Sequence, residues 1–143
     1  MTTHPTALAD QLKAASTEAE VRIRRAADHD PNLRFTHVTD TPAWLAELFE
    51  RHAQALQSGH GRACRHLDAG PQVIHVFAWR PGWLLCPACQ WLATPHGIEK
   101  FTCDRCGECS QHLWPGVAAL GPILFGYALC HHCHTDARAE VER

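Results

Sequence analysis

Lysine is nearly missing from this 143-residue chain: two lysines stand against 11 arginines, and asparagine, methionine and tyrosine each occur once. Such an arginine bias is read as the codon usage of a GC-rich bacterium. Long apolar runs are also lacking. Stretches such as Val117–Leu120 and Ile123–Phe125 fall far short of the roughly 20 residues of a membrane span, so no membrane association is expected. The opening MTTHPTALADQLK has no basic flank followed by an apolar stretch, so no secretory leader is expected and a cytoplasmic location is the default. Basic excess is missing too, with 13 Lys and Arg against 15 Asp and Glu and a formal charge of −2. Nucleic-acid modules usually carry a basic face. Here Arg22, Arg24 and Arg25 are flanked by Glu18, Glu20, Asp28 and Asp30, so nucleic acid is a less favoured partner.

Catalytic signatures are absent as well. Zinc deaminases use H-x-E with P-C-x-x-C, and the nearest approach is His66-Leu67-Asp68. H-E-x-x-H, G-x-S-x-G, a phosphate loop and a dinucleotide fingerprint are not found, so no enzyme activity is expected. Disorder is not expected either, because 45% of the residues are apolar and no long polar tract interrupts them.

What is present is cysteine, eight in all and none before residue 64. Six form C-x-x-C pairs: Cys86 with Cys89, Cys103 with Cys106, and Cys130 with Cys133. Cys64 adds a C-x-H pair with His66. In a reducing compartment paired thiols are read as metal ligands ahead of disulfides. Four two-ligand half-sites suffice for two tetrahedral zinc sites, so two Zn²⁺ per chain are expected. A three-thiolate site would carry one net negative charge and a four-thiolate site two, taking the loaded protein to about −5.

The expected fold class is α+β, with N-terminal helices followed by a small zinc-stabilised module that ends in a helix. Composition divides the chain near residue 60 into a mostly helical region, 1–59, and a metal-binding module, 60–143. In the first region Thr6 can cap a helix running to about Ala27, with Leu8, Leu12, Ala15, Ala19, Ile23 and Ala26 on one stripe. The alternating segment 33–38 reads as a strand or an extended link. Thr41 as N-cap and Pro42 at the first helical position open a helix to about Gln57. Trp44, Leu45, Leu48, Phe49, Ala53 and Leu56 form its apolar side, and Gly59 and Gly61 close it. In the module, a strand over 73–79 and a turn at Pro81-Gly82 suggest a hairpin that delivers Cys86 and Cys89 into a tight turn. His75 is expected on that strand's polar face. Trp79, Trp83, Trp91 and Trp114 are expected to form a compact core between the metal sites.

From Cys103 to Val141 the order of a C-x-x-C knuckle, a hairpin and a second C-x-x-C opening a helix resembles the treble-clef zinc finger. That resemblance implies one site from Cys103, Cys106, Cys130 and Cys133, leaving Cys64, His66, Cys86 and Cys89 for the other. Residues 64–89 are similar to the opening of the ubiquitin-protease-type zinc finger. The later part of that family's pattern is not matched, so ubiquitin recognition is not carried over. A zinc ribbon would pair Cys86 and Cys89 with Cys103 and Cys106 instead, joining Cys130 and Cys133 to Cys64 and His66. Cys103, Cys106 and Cys109 also match three ligands of a ferredoxin-type cluster, although Leu113 stands where the fourth cysteine belongs. A thioredoxin-like role for Cys86 and Cys89 is disfavoured, since that motif opens a helix after a parallel strand and normally works alone. Cys109 is left over in both zinc pairings, unless it replaces a ligand together with His112. His131, His132 and His134 are read as solvated, or as partners that orient a ligand.

These features suggest a structural zinc protein, a small protein-interaction or regulatory factor with a protein partner. A nucleic-acid-binding regulator using Arg22, Arg24, Arg25, Arg62 and Arg65, or a thiolate redox sensor, are the alternatives. Chelation is expected to unfold 60–143 while the N-terminal helices partly persist.

Overall fold

The computed structural model describes residues 5–37 and 41–141. Helix α1 (Pro5–His29), strand β1 (Arg34–His37) and helix α2 (Ala43–Gln57) come first, then strands β2 (Arg62–Ala63), β3 (Ile74–Phe77) and β4 (Trp83–Leu84). Strands β5 (Trp114–Leu120) and β6 (Ile123–Leu129) and helix α3 (His131–Val141) follow. Mixed helix and sheet agrees with the α+β expectation.

The centre is a four-stranded mixed sheet in the order β1-β5-β6-β3. β5 and β6 form an antiparallel hairpin from Trp114 opposite Leu129 to Leu120 opposite Ile123, while β1 joins β5 and β3 joins β6 in parallel. The hairpin turns through Gly121, whose φ of 55° lies in the left-handed region that glycine adopts without strain. Gly116 is required for packing: a side chain there would enter the ring of Tyr127 on the neighbouring strand.

Alternation along β6 sends side chains to both faces. Leu124 meets Ala19 and Ile23 of α1 together with Val73, whereas Phe125, Tyr127 and Leu129 meet Leu45 and Leu48 of α2. Trp44 stands edge-on to Tyr127 with ring centroids 5.3 Å apart, and Phe49 edge-on to Phe125 at 4.7 Å. Burying a side chain such as Leu45 or Leu48 stabilises the fold by about 1.5–3 kcal/mol each. The second cluster also includes Cys103, Cys133 and Ala137. Residues from both sides of position 60 thus share one core.

Several local expectations are corrected. The first helix is in place by Pro5, so Thr6 lies inside it rather than at its cap. Its stripe is buried only at Ala15, Ala19 and Ile23, while Leu8 and Leu12 are each 42% exposed. Pro42, not Thr41, is the N-cap of α2, with φ −69° and ψ 159°, and its carbonyl accepts from the N–H groups of Leu45 and Ala46. Val38, expected to end the first strand, and Glu142 and Arg143, expected in the last helix, lie outside the described residues.

The hairpin expected over 73–86 is reduced to one bridge between His75 and Leu85, because β4 pairs in parallel with β2 instead. His75 is not on a solvated face. It lies half-buried on the α1 side, and its Nε2 has no hydrogen-bond partner among the described residues. Nor do the four tryptophans form a core. Trp91 is 67% exposed, Trp83 lies under the guanidinium groups of Arg62 and Arg80, and Trp79 donates to the carbonyl of Ala93 at 2.6 Å. The interior is instead filled by aliphatic side chains with Phe125 and Tyr127.

Candidate metal centres

The first group assembles from three short segments. Cys64 follows β2, where its N–H donates to the carbonyl of Leu84. One turn of 3₁₀-helix, Arg65–Ala69, then presents His66. Cys86 and Cys89 lie in a tight turn after β4, closed by the N–H of Cys89 on the carbonyl of Cys86 at 3.0 Å. His66 Nδ1 lies 3.5 Å from Cys86 Sγ and 3.3 Å from Cys89 Sγ. Ligands on a tetrahedral zinc, with Zn–N near 2.0–2.1 Å and Zn–S near 2.3 Å, are separated by about 3.5 Å for such a pair. Nδ1 is therefore the nitrogen presented for coordination. The backbone N–H of Cys86 donates to Cys64 Sγ at 3.2 Å, as expected for a sulfur that carries negative charge.

The second group joins a knuckle to the start of a helix. The N–H of Gly107 donates to the carbonyl of Cys103, and the N–H of Cys103 to that of Glu108, both at 2.9 Å. Those bonds wrap the turn around the Cys103 and Cys106 thiols. Cys130 stands between β6 and α3, and Cys133 lies in the first turn of α3, whose positive dipole end favours thiolate. Cys106 Sγ and Cys130 Sγ are 3.9 Å apart. The edge of a tetrahedral zinc–thiolate site is about 3.8 Å. Asp104 clips the knuckle to the sheet: its N–H donates to the carbonyl of Ala128, and its Oδ2 accepts from the N–H of Ala128 at 2.7 Å. Burial pushes the Asp104 carboxyl up to about 6, against the opposing pull of the Ala128 N–H and Arg51.

In each group the four candidate ligand atoms all lie within 4.8 Å of one another. Crowded thiols cannot all ionise without a cation, and their acidities show the strain. Burial raises the Cys64 thiol, but the N–H of Cys86 and contacts from His66 and the Cys86 thiol outweigh it and bring it down to about 7. Cys89 is pushed up to about 11 by desolvation and then by the Cys86 and Cys64 sulfurs. Cys103 is lowered, its burial overcome by backbone N–H groups led by Cys106, whereas Cys133 is pushed strongly upward by burial and by the other three sulfurs. A divalent cation held by each group would resolve that conflict by favouring every thiolate at once. The residues present thus fit a bound metal.

The structure brings together Cys64, His66, Cys86 and Cys89, and separately Cys103, Cys106, Cys130 and Cys133. The ribbon pairing is not the one adopted. Cys109 belongs to neither group; it is exposed, pairs its strand-like backbone with Thr102, and lines an open groove with Ile98 and Phe101. His112 meets Trp114 edge-on at 5.1 Å, and His132 approaches Asp136 at 3.3 Å; neither belongs to a tetrad. His134 stacks on Trp114 with ring centroids 4.8 Å apart and planes 8° from parallel. Burial, followed by the charges of Arg34, Arg138 and His131, lowers its pKa.

Two supporting residues were missed from sequence. Asp104 inside the C-x-x-C turn was a readable signal, since short carboxylates favour such turns. Arg34 was not, because its guanidinium donates to the carbonyls of His134 and Ala137, 100 and 103 residues away. No protein-family model, curated protein or solved structure matches the chain.

Proposed function

We propose that the chain is a structural zinc protein, with one Zn²⁺ in each tetrad, that works by binding a protein partner rather than by catalysis. Thiolate-rich four-donor sets favour zinc, and a set that fills all four tetrahedral positions leaves none for a substrate. A reducing compartment such as the cytosol suits the eight cysteines.

The observation that carries the binding role is the apolar surface of the segment between the tetrads. Trp91 and Leu92 are 67% and 43% exposed, and Ile98 and Phe101 are 70% and 45% exposed. Two short 3₁₀ turns, Gln90–Ala93 and Gly97–Phe101, present them directly after Cys89 and one residue before Cys103. Arg80 pairs with Glu99, and Thr102 Oγ1 donates to the carbonyl of Ile98, so the segment is anchored at its base while its apolar side chains face outward. Several large apolar side chains exposed on one short segment are the kind of surface that interaction sites use. A nucleic-acid role draws less support, because Arg22 pairs with Glu18 while Arg62 lies over Trp83.

Metal analysis should find two zinc ions per chain with no visible absorption, and iron or a single zinc would refute the metal assignment. Affinity capture with the wild type and with a Trp91→Ser, Ile98→Ser double variant tests the surface. The double variant should keep both metals and lose the captured partner. Identical partner profiles for the two proteins would remove the support for this surface.

A further inference from the structure

We propose that the cavity between the loop after α1 and the outer face of α3 binds a small organic carboxylate. The cavity has a volume of about 290 Å³, close to the lower end of the roughly 300–1,000 Å³ typical of small-molecule sites. Its walls divide by chemistry. Arg34 and Arg138 supply two guanidinium groups, Pro31 and Leu33 supply an apolar lip, and the stacked rings of Trp114 and His134 supply a flat wall.

The cationic wall is prearranged. Arg34 is half-buried at the start of β1, and its two terminal nitrogens donate to the carbonyls of His134 at 3.3 Å and Ala137 at 2.6 Å. Those two bonds hold the plane of the guanidinium, and among the described residues its other N–H donors have no protein acceptor. Arg138 follows His134 by four residues on α3 and so lies on the same face of that helix. Among the described residues no carboxylate lies within ion-pair distance of either arginine. Two guanidinium groups therefore line one cavity with no carboxylate paired to them among the described residues.

An anion entering the cavity relieves that repulsion and meets donors whose ordering cost folding has already met. A bare oxyanion would leave the Pro31 and Leu33 lip and the indole–imidazole wall in water. A carboxylate on a flat apolar body covers both walls, which is why an organic acid suits the cavity better than inorganic phosphate. The site is distinct from the metal tetrads and does not depend on which metal they hold.

Titration calorimetry on the full metal-loaded chain tests the assignment, with benzoate as probe, benzamide as its neutral counterpart and inorganic phosphate as a compact anion. Benzoate should bind saturably and at least about tenfold more tightly than either control, the scale of one charge-assisted hydrogen bond. Arg138→Gln should weaken benzoate about tenfold with metal content and far-ultraviolet circular dichroism unchanged, because Arg138 is exposed and makes no ion pair among the described residues. Absence of saturable benzoate binding, equal binding of benzamide or phosphate, or an unaltered affinity in Arg138→Gln would each overturn the proposal. Benzoate binding by a protein found to carry a metal other than zinc would support this site while removing only the zinc reading.

Discussion

The two tetrads use nearly the same chemistry and are embedded very differently. Cys103 and Cys133 are 1% and 4% exposed and belong to the same cluster as Leu45, Leu48, Phe125 and Leu129, so the second tetrad is anchored in the main core by two of its four members, with Cys106 at the surface. In the first tetrad only Cys86 is buried; His66 is exposed, and the elements around it are a two-residue ladder and a 3₁₀ turn. The second site closes the centre of the molecule, whereas the first fastens a peripheral flap to it. Metal binding in small sites contributes about 10–16 kcal/mol of apparent free energy, against a net stability of about 5–15 kcal/mol for a whole domain. The same ion is therefore expected to have global consequences at one site and local ones at the other.

The largest expected effect comes from Cys133→Ser or Cys103→Ser, each of which should abolish cooperative thermal unfolding followed by circular dichroism. Because α2 packs on those residues, chelation should also release α2 rather than leave the N-terminal helices standing. A wild-type melt for either variant would break the comparison. Cys64→Ser or His66→Ala should lose one metal ion and amide-exchange protection across 62–69 and 83–93 while β3, β5 and β6 stay protected. Equal loss of protection in the central sheet would show that the two sites are not graded in this way.

His75 sharpens the contrast, since it bridges the sheet to the strand leading into the first tetrad. Burial and the charge of Arg22 lower its pKa to about 4 from 6.5. A depressed histidine leaves the unfolded chain binding more protons between those values. The resulting stability is complete above about pH 6.5 and declines toward pH 4, by on the order of 2 kcal/mol after allowing for partial exposure. In His75→Phe the difference from wild type should shift in the variant's favour across that window, measured by urea unfolding at fixed metal loading. A pH-independent difference would argue against a buried neutral imidazole. The smallest effect belongs to Cys109→Ser, which should leave metal content unchanged and alter stability by less than about 0.5 kcal/mol, because Cys109 is exposed and outside both tetrads. Loss of a metal ion in that variant would give Cys109 a ligand role.

Much of this was legible along the chain wherever the controlling interaction is short. The C-x-x-C spacings mark the turns that hold Cys86 with Cys89 and Cys103 with Cys106, because two thiols three residues apart already meet in one turn. The helical spacing of Ala15, Ala19 and Ile23, and of Leu45 and Leu48, marks faces that are in fact buried. Trp91 and His75 were misread for a shared reason: composition and alternation do not say which surface a neighbouring element covers. α1 covers His75, and no described element covers Trp91.

The amino-acid order by itself determined the four half-sites and the main helices, since these depend on contacts within a few residues. Which half-sites pair, why Cys109 stands apart, and how β1 and β3 come to flank the hairpin in parallel were decided only in three dimensions. Those choices depend on side chains meeting from segments far apart in the chain, where the cost of closing long loops is offset by one shared core rather than by any local preference.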